Sequence, residues 1–202
     1  MTKRHRALSL MFTVTTGLIL AFSLLTDTGT AFMTEMKELF IPKKQVMQNI
    51  EGVDEEVEVE LNEGKNADYV IYVDETRYKL TSRDTSDMIT PVHPIPKNYP
   101  DVTMEIRQVP NEKPEILIEK IAANLKKEFS ELGEIEAVKE PVIGFKVHGK
   151  AGTNADSKIV TVFVISNGKE GSFVITQRYF LEAAEGHGAR LNHMLKSFKI
   201  IN

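Results

Sequence analysis

Residues 182–200, EAAEGHGARLNHMLKSFKI, bring together two of the chain's five histidines, His187 and His193, with Glu182, Glu185 and Arg190. Imidazoles and carboxylates this close in sequence point to a metal site or an acid–base pair, and spacing decides between these and a packing role. At about 3.6 residues per turn, positions six apart on a regular helix point roughly 120° away from each other. A helix-borne metal pair needs a spacing of three or four. His187 and His193 therefore cannot share an ion on a regular helix, and Glu185 and His193 are eight apart. His187, Leu191, Met194, Leu195 and Phe198 instead follow one helix face, so the segment reads as a helix that packs on the fold. His187 is expected to pack or cap its start, and His193 to face solvent or bond locally. Gly186 and Gly188, which loosen the first turn, leave the only opening for a metal-binding alternative.

Other candidates for chemistry are thinner. His93 lies in PVHPIPKNY without a serine and carboxylate near it in sequence. Asp84 and Asp87 bracket Thr85 and Ser86 and read as turn formers. Asn154, Asp156 and Ser157 offer oxygens, but one carboxylate is too little charge for a calcium loop, so GTNADSK reads as a hairpin connection. His148 shares the polar side of its strand with Lys146, as a surface residue would. GHG and GKAG do not follow a phosphate-loop pattern. No nucleophile, base and orienting group assemble, so the expectation is a protein that is not an enzyme, with no catalytic or metal residues and no cofactor. The residues favoured for binding are His93 and Tyr99, which combine apolar contact with hydrogen bonding on one proline-rich loop; the plainer alternative is a loop that closes a sheet edge.

The 202 residues suffice for one ordinary domain with extra segments, and 42% hydrophobic content fits a globular core. A formal net charge of −4 without a basic stripe argues against nucleic acid as a partner. The absence of cysteine excludes disulfides, thiolate catalysis and cysteine–zinc sites. At the start, MTKRHR places Lys3, Arg4 and Arg6 before an uncharged apolar run over residues 7–25, and Gly29 and Ala31 follow at the positions of a cleavage signal. Residues 1–31 thus read as a signal peptide, or as a retained N-terminal membrane anchor, because the run is also long enough to span a bilayer. Either way the remainder is expected outside the cytoplasm, secreted or anchored to the outer face of the cytoplasmic membrane. Losing Lys3, Arg4, Arg6 and Asp27 with that segment moves the net charge from −4 to −6.

Residues 32–68 read as an acidic tether: EGVDEEVEVELNEG holds seven acids and no base. Within it Val57, Val59 and Leu61 alternate with Glu58 and Glu60, which allows an edge strand. The folded domain is expected over 69–202. YVIYV and RYKLT, separated by a short polar turn, predict a hairpin, and the proline-rich 88–100 predicts an extended loop. DVTMEIRQV alternates as a strand with one wet face. Ile118, Ile121, Leu125, Phe129 and Leu132 predict a long helix over about 114–132, opened by Pro114 and closed by Gly133. Strands follow at 135–140 and 142–151, separated by a bend at Pro141. The next strand, 158–166, is apolar on both faces and so belongs in the middle of a sheet. Asn167-Gly168 predicts a tight turn into 172–180.

In this order of elements, and in the tail where SFVITQRYF runs into a helix closing on Ser197, Phe198 and Lys199, the chain resembles the PsbP/Mog-like superfamily of α/β/α sandwich domains over about 69–200. The resemblance implies an α+β fold: an antiparallel β-sheet with the long helix and a C-terminal helix packed on it. A cystatin-like fold is the runner-up. It also implies an accessory or binding role, since such proteins include extrinsic photosystem subunits, a Ran-binding import factor and exported bacterial envelope proteins. With the export signal, the expectation is a membrane-associated binding protein of the bacterial cell envelope that recognises another envelope protein or a small ligand. The alternative is a metal-binding or metal-responsive envelope protein.

Overall fold

The computed structural model describes residues 41–201; the expected export segment and residues 32–40 of the expected tether lie outside the described residues. Strands β1 (Lys43–Ile50) and β2 (Val53–Glu63) form a hairpin closed by Glu51 and Gly52, both at positive φ (55° and 78°), the backbone that a two-residue hairpin loop needs. β3 (Tyr69–Val73) pairs with β2, and the short β12 (Lys199–Ile200) pairs with β3. These four strands make one antiparallel sheet in the order β1-β2-β3-β12.

The second sheet holds β4 (Tyr78–Ser82), β5 (Asp87–Pro91), β6 (Thr103–Val109), β7 (Glu131–Leu132), β8 (Glu136–Val138), β9 (Gly144–Lys150), β10 (Lys158–Ser166) and β11 (Ser172–Phe180). Its order is β4-β5-β6-β11-β10-β9-β7, with β8 paired to β9. Helix α1 (Pro114–Leu125) precedes β7, and a short helical stretch over 181–188 leads into α2 (Ala189–Leu195).

The fold is mostly β, with two sheets, which corrects the expected single sheet between a long helix and a C-terminal helix. α1 stops at Leu125 rather than reaching 132. Phe129 still packs beside Leu117, Ile118, Ala122 and Leu125 against Val147, Val160, Val162 and Val164, so the apolar spacing outlasts the helix. Gly133, expected as the helix stop, lies just past β7 and donates its N–H to His148 O. On the opposite side, Tyr69, Ile71 and Val73 of β3 share the largest core with Met104, Ile106, Ile159, Phe163 and Ile175, and Leu191, Met194 and Leu195 of α2 join them. The closing helix therefore shares its layer with a sheet.

Further expectations change. Residues 43–63, read as most of an acidic tether, form the β1–β2 hairpin. Val57, Val59 and Leu61 cluster with Tyr72 and Val46, while Glu58 and Glu60 alternate away from them and pair with Lys43. Burying that apolar row outweighs repulsion among exposed carboxylates, where each interaction is small. β3 and β4, read as a hairpin, belong to different sheets. All five residues of β3 are buried, so it has to be covered on both faces, which an isolated two-stranded hairpin does not provide. Asp74 turns the chain between the sheets, accepting from Thr76 N and Oγ1 and pairing with Arg77 Nη1 at 2.8 Å. The central position of β10 is as expected.

Asp87 joins the sheets. It is 0% exposed and accepts from the Tyr69 hydroxyl at 2.9 Å, Asn66 Nδ2 at 2.9 Å and the Lys65 N–H at 3.0 Å. It is a buried acceptor, not the turn former expected. Removing it leaves the buried Tyr69 hydroxyl without its acceptor, at roughly 1–3 kcal/mol, and releases the part-buried donors of Lys65 and Asn66 as well. Asp87→Ala is expected to lower the unfolding free energy in urea by about 3 kcal/mol, and Tyr69→Phe, which removes one donor, by about 1 kcal/mol. A loss in Asp87→Ala no larger than that in Tyr69→Phe refutes the joint.

Candidate functional site

The residues chosen from sequence, His93 and Tyr99, line one open groove of about 700 Å³. His187 lines the same groove, although sequence reasoning gave it a packing role. Four distant segments converge there: the tip of the β1–β2 hairpin, residues 77–78 after the Asp74 turn, the proline-rich loop, and the helical stretch after β11. Pro91, Ile95 and Phe180 give the groove an apolar surface.

Each polar side chain has a local cause for its position. Tyr99 stacks on Phe180 with ring centroids 4.6 Å apart and planes 29° apart, and its hydroxyl donates to Glu182 Oε2 at 3.3 Å. The Glu182 charge, and then that hydrogen bond, raise the Tyr99 pKa, so the phenol stays protonated. A Pro96–Tyr99 backbone hydrogen bond of 2.9 Å closes the turn that carries the ring. Proline fixes φ along this loop and so limits its freedom. His93 is exposed on the same loop.

His187 sits 2.7 Å from the Tyr78 hydroxyl through Nδ1, and the rings meet edge-on at 5.8 Å and 89°. Tyr78 is buried, and burial raises its pKa well above the usual phenol value. Its proton needs an acceptor, and Nδ1 is the acceptor in reach among the described residues. Tyr78 therefore donates, which assigns the His187 proton to Nε2, a donor on the groove-lining ring. Burial first, and the Arg190 charge second, hold His187 below the usual imidazole value, so it is neutral near pH 7.

The nearby cations already have partners. Arg190 Nη2 lies 2.8 Å from Glu55 Oε1, and Arg77 pairs with Asp74 at 2.8 Å and Glu55 at 3.5 Å. An anionic ligand would compete with these carboxylates. Glu51 reaches the same groove from the tip of the β1–β2 hairpin: a Cβ built at Gly186 would lie 3.0 Å from its Oε1. The groove can thus bury an apolar group and offer imidazole and phenol hydrogen bonds around it.

His193 lines a different cleft, with Lys44, Val46 and Tyr72, so the two tail histidines do not converge. Among the described residues no group of three or more His, Asp or Glu side chains is arranged to hold a metal ion. Sequence reasoning missed Arg77, Tyr78 and Glu55, whose pairings cross 22, 109 and 135 positions along the chain. The tether reading hid Glu55, and no local pattern marks the other two.

No family model matches the chain, and neither does any curated protein. Among solved structures the chain is similar to cyanobacterial PsbP (CyanoP) from Synechocystis sp. PCC 6803, seen in solution, with a TM-score of 0.45 and 8% identity over 71% of this chain and 92% of that one. Similarity at that level assigns this chain neither a family nor a function.

His187 makes stability depend on pH. Above its ordinary pKa of 6.5 it is neutral both folded and unfolded; below that the unfolded chain takes up the proton first, so stability falls until the lowered folded pKa is passed. His148, lowered by burial first and then by Lys146 and Lys150, acts in the same direction. Urea unfolding from about pH 7.5 to about pH 5.5 is expected to show falling stability, with a shallower slope in His187→Gln and a shallower one again when His148→Gln is added. An unchanged slope in His187→Gln contradicts the neutral, half-buried imidazole.

Proposed function

We propose that this is a non-catalytic recognition protein that uses the groove between the proline-rich loop and the helical stretch before α2 to bind an apolar part of another protein or of a small ligand. The observation that carries the reading is the convergence of His93, Tyr99 and His187 on one groove with an apolar surface. Binding sites commonly combine apolar walls with a few placed polar groups. The lining contains no Ser, Thr or Lys among the described residues, and its phenols and guanidinium groups are engaged with partners inside the fold. That favours holding a ligand over attacking one.

The export pattern at the N-terminus supports a place outside the cytoplasm, in or on the cell envelope, and supports an envelope component as the partner. The groove also faces solvent without a covering element from the described chain, which suits a partner that arrives from outside.

A photo-crosslinking residue at His93 or Tyr99, in the native envelope, tests this. Both positions are expected to capture the same component with a yield about tenfold above that at Ile116, an exposed position on α1, and His187→Ala is expected to lower that yield. The adduct's mass distinguishes a protein from a small ligand. Equal yields at all three positions refute the groove as the recognition site.

A further inference from the structure

Away from the groove, Val142 and Ile143 join Lys139, Lys196 and Lys199 around a shallow cleft of about 390 Å³ whose walls include Phe198. Ile143 is 79% exposed, the highest value among the large hydrophobic side chains described. All three lysines are exposed, and none forms an ion pair among the described residues. Glu140 is the one acid in the lining. We propose that this face docks on an anionic lipid surface, with Ile143 entering the headgroup region and the lysines meeting the lipid charges.

Two features coincide on this face. A single exposed isoleucine is ordinary on a soluble surface. A protruding one among three unneutralised lysines matches the chemistry of an anionic interface, apolar below and negative above. Lysine stems lie along apolar surface while their ammonium groups reach toward charge. Val142 and Phe198 are buried beneath, so the tip is carried on the main core and is not a free loop end. The negative charge of the chain as a whole is screened beyond roughly 10 Å, and the charges nearest the interface dominate docking.

A lipid surface satisfies both features at once. A soluble polyanion satisfies the lysines but offers Ile143 no apolar phase. On the small sheet, by contrast, the exposed apolar residues Met47 and Val53 sit on a hairpin with exposed acids at Asp54, Glu56 and Glu58, and Met47 lies directly opposite Glu56. An anionic bilayer repels that hairpin and attracts the Ile143 face. Docking therefore has a defined orientation.

The chain lacks cysteine, so a single introduced thiol is a unique label. The full-length protein with Ile143→Cys or, as control, Val53→Cys would carry an environment-sensitive fluorophore. Both would be mixed with phosphatidylcholine vesicles, with and without phosphatidylglycerol. Any attachment through residues 7–25 is common to both labels, so their difference reports this face alone. The label at 143 is expected to shift to shorter wavelength and to be quenched by lipid-borne quenchers only with phosphatidylglycerol. Vesicle concentrations for half-response should rise about fivefold per lysine in Lys139→Gln, Lys196→Gln and Lys199→Gln. High salt should reverse the shift. Circular dichroism of the triple variant confirms that the fold is kept. Equal responses at 143 and 53, equal responses in both lipids, or shielding of 143 only on adding a protein without lipid would overturn the assignment; the last would give the face to a protein partner.

Discussion

Tyr69 is the contact on which the two-sheet arrangement turns. Its ring stacks on Phe198 of the tail at 5.0 Å and meets Phe173 of β11 edge-on at 5.9 Å, while its hydroxyl donates to Asp87 of β5. Burial keeps that phenol protonated by raising its pKa, with the Asp87 hydrogen bond acting in the same direction. One side chain on β3 thus touches the large sheet twice and the closing segment once. The strand it belongs to leads into the Asp74 turn that presents Arg77 and Tyr78. From the same strand the Tyr72 N–H donates to Ser197 Oγ at 2.9 Å, and Ser197 in turn donates to Met194 O at 2.6 Å, fixing the end of α2. Tyr78 and His187, which meet in the groove, are therefore both referenced to β3.

How much of this could be read from the sequence depends on whether a cause is local. The alternation of β6, β10 and β11, the central place of β10 and the inward ridge Leu191, Met194, Leu195 and Phe198 were legible, because burial on one or both faces prints directly on residue order. The end of α1 was not. Phe129 keeps the helical spacing and the same core after the chain leaves the helix, so periodicity alone overshoots. In β2 the acids dominated the composition and masked the alternating row of Val57, Val59 and Leu61. The β3–β4 hairpin failed for another reason: a period of two identifies a strand but not its partner, and the burial of all five β3 residues is a tertiary fact. For the site, loop chemistry led to His93 and Tyr99, while the angular argument separated His187 from His193 and they do line different clefts. The link from His187 to Tyr78 could not be seen, because it depends on how the sheets are stacked.

The ion pairs beside the groove position groups more than they stabilise the fold. Arg190 and Glu55 are largely withdrawn from water, and the desolvation of such a pair offsets much of its attraction. Arg190 Nε also lacks a hydrogen-bond partner among the described residues, a further cost. The gain is geometric. The pair ties the start of α2 to the β1–β2 hairpin, next to the tip that brings Glu51 toward Gly186. With its guanidinium groups occupied in this way, the groove presents shape, aromatic surface and neutral imidazole.

Charge is distributed unevenly over this small unit, and that distribution says more than its sum. The β1–β2 hairpin concentrates carboxylates on one row, partly answered by Lys43, whereas Lys139, Lys196 and Lys199 stand together around Ile143 without an ion-paired acid among the described residues. Two surfaces of opposite sign on one rigid core cannot approach the same charged interface equally well. A net charge of −4 averages them and hides both. The lysine face comes from the loop between β8 and β9 together with the segment after α2, and the groove comes from the proline-rich loop and the segment before α2. Because α2 spans the interval between them while packing into the main core, the two surfaces keep a fixed relation, and orienting one on an interface also orients the other.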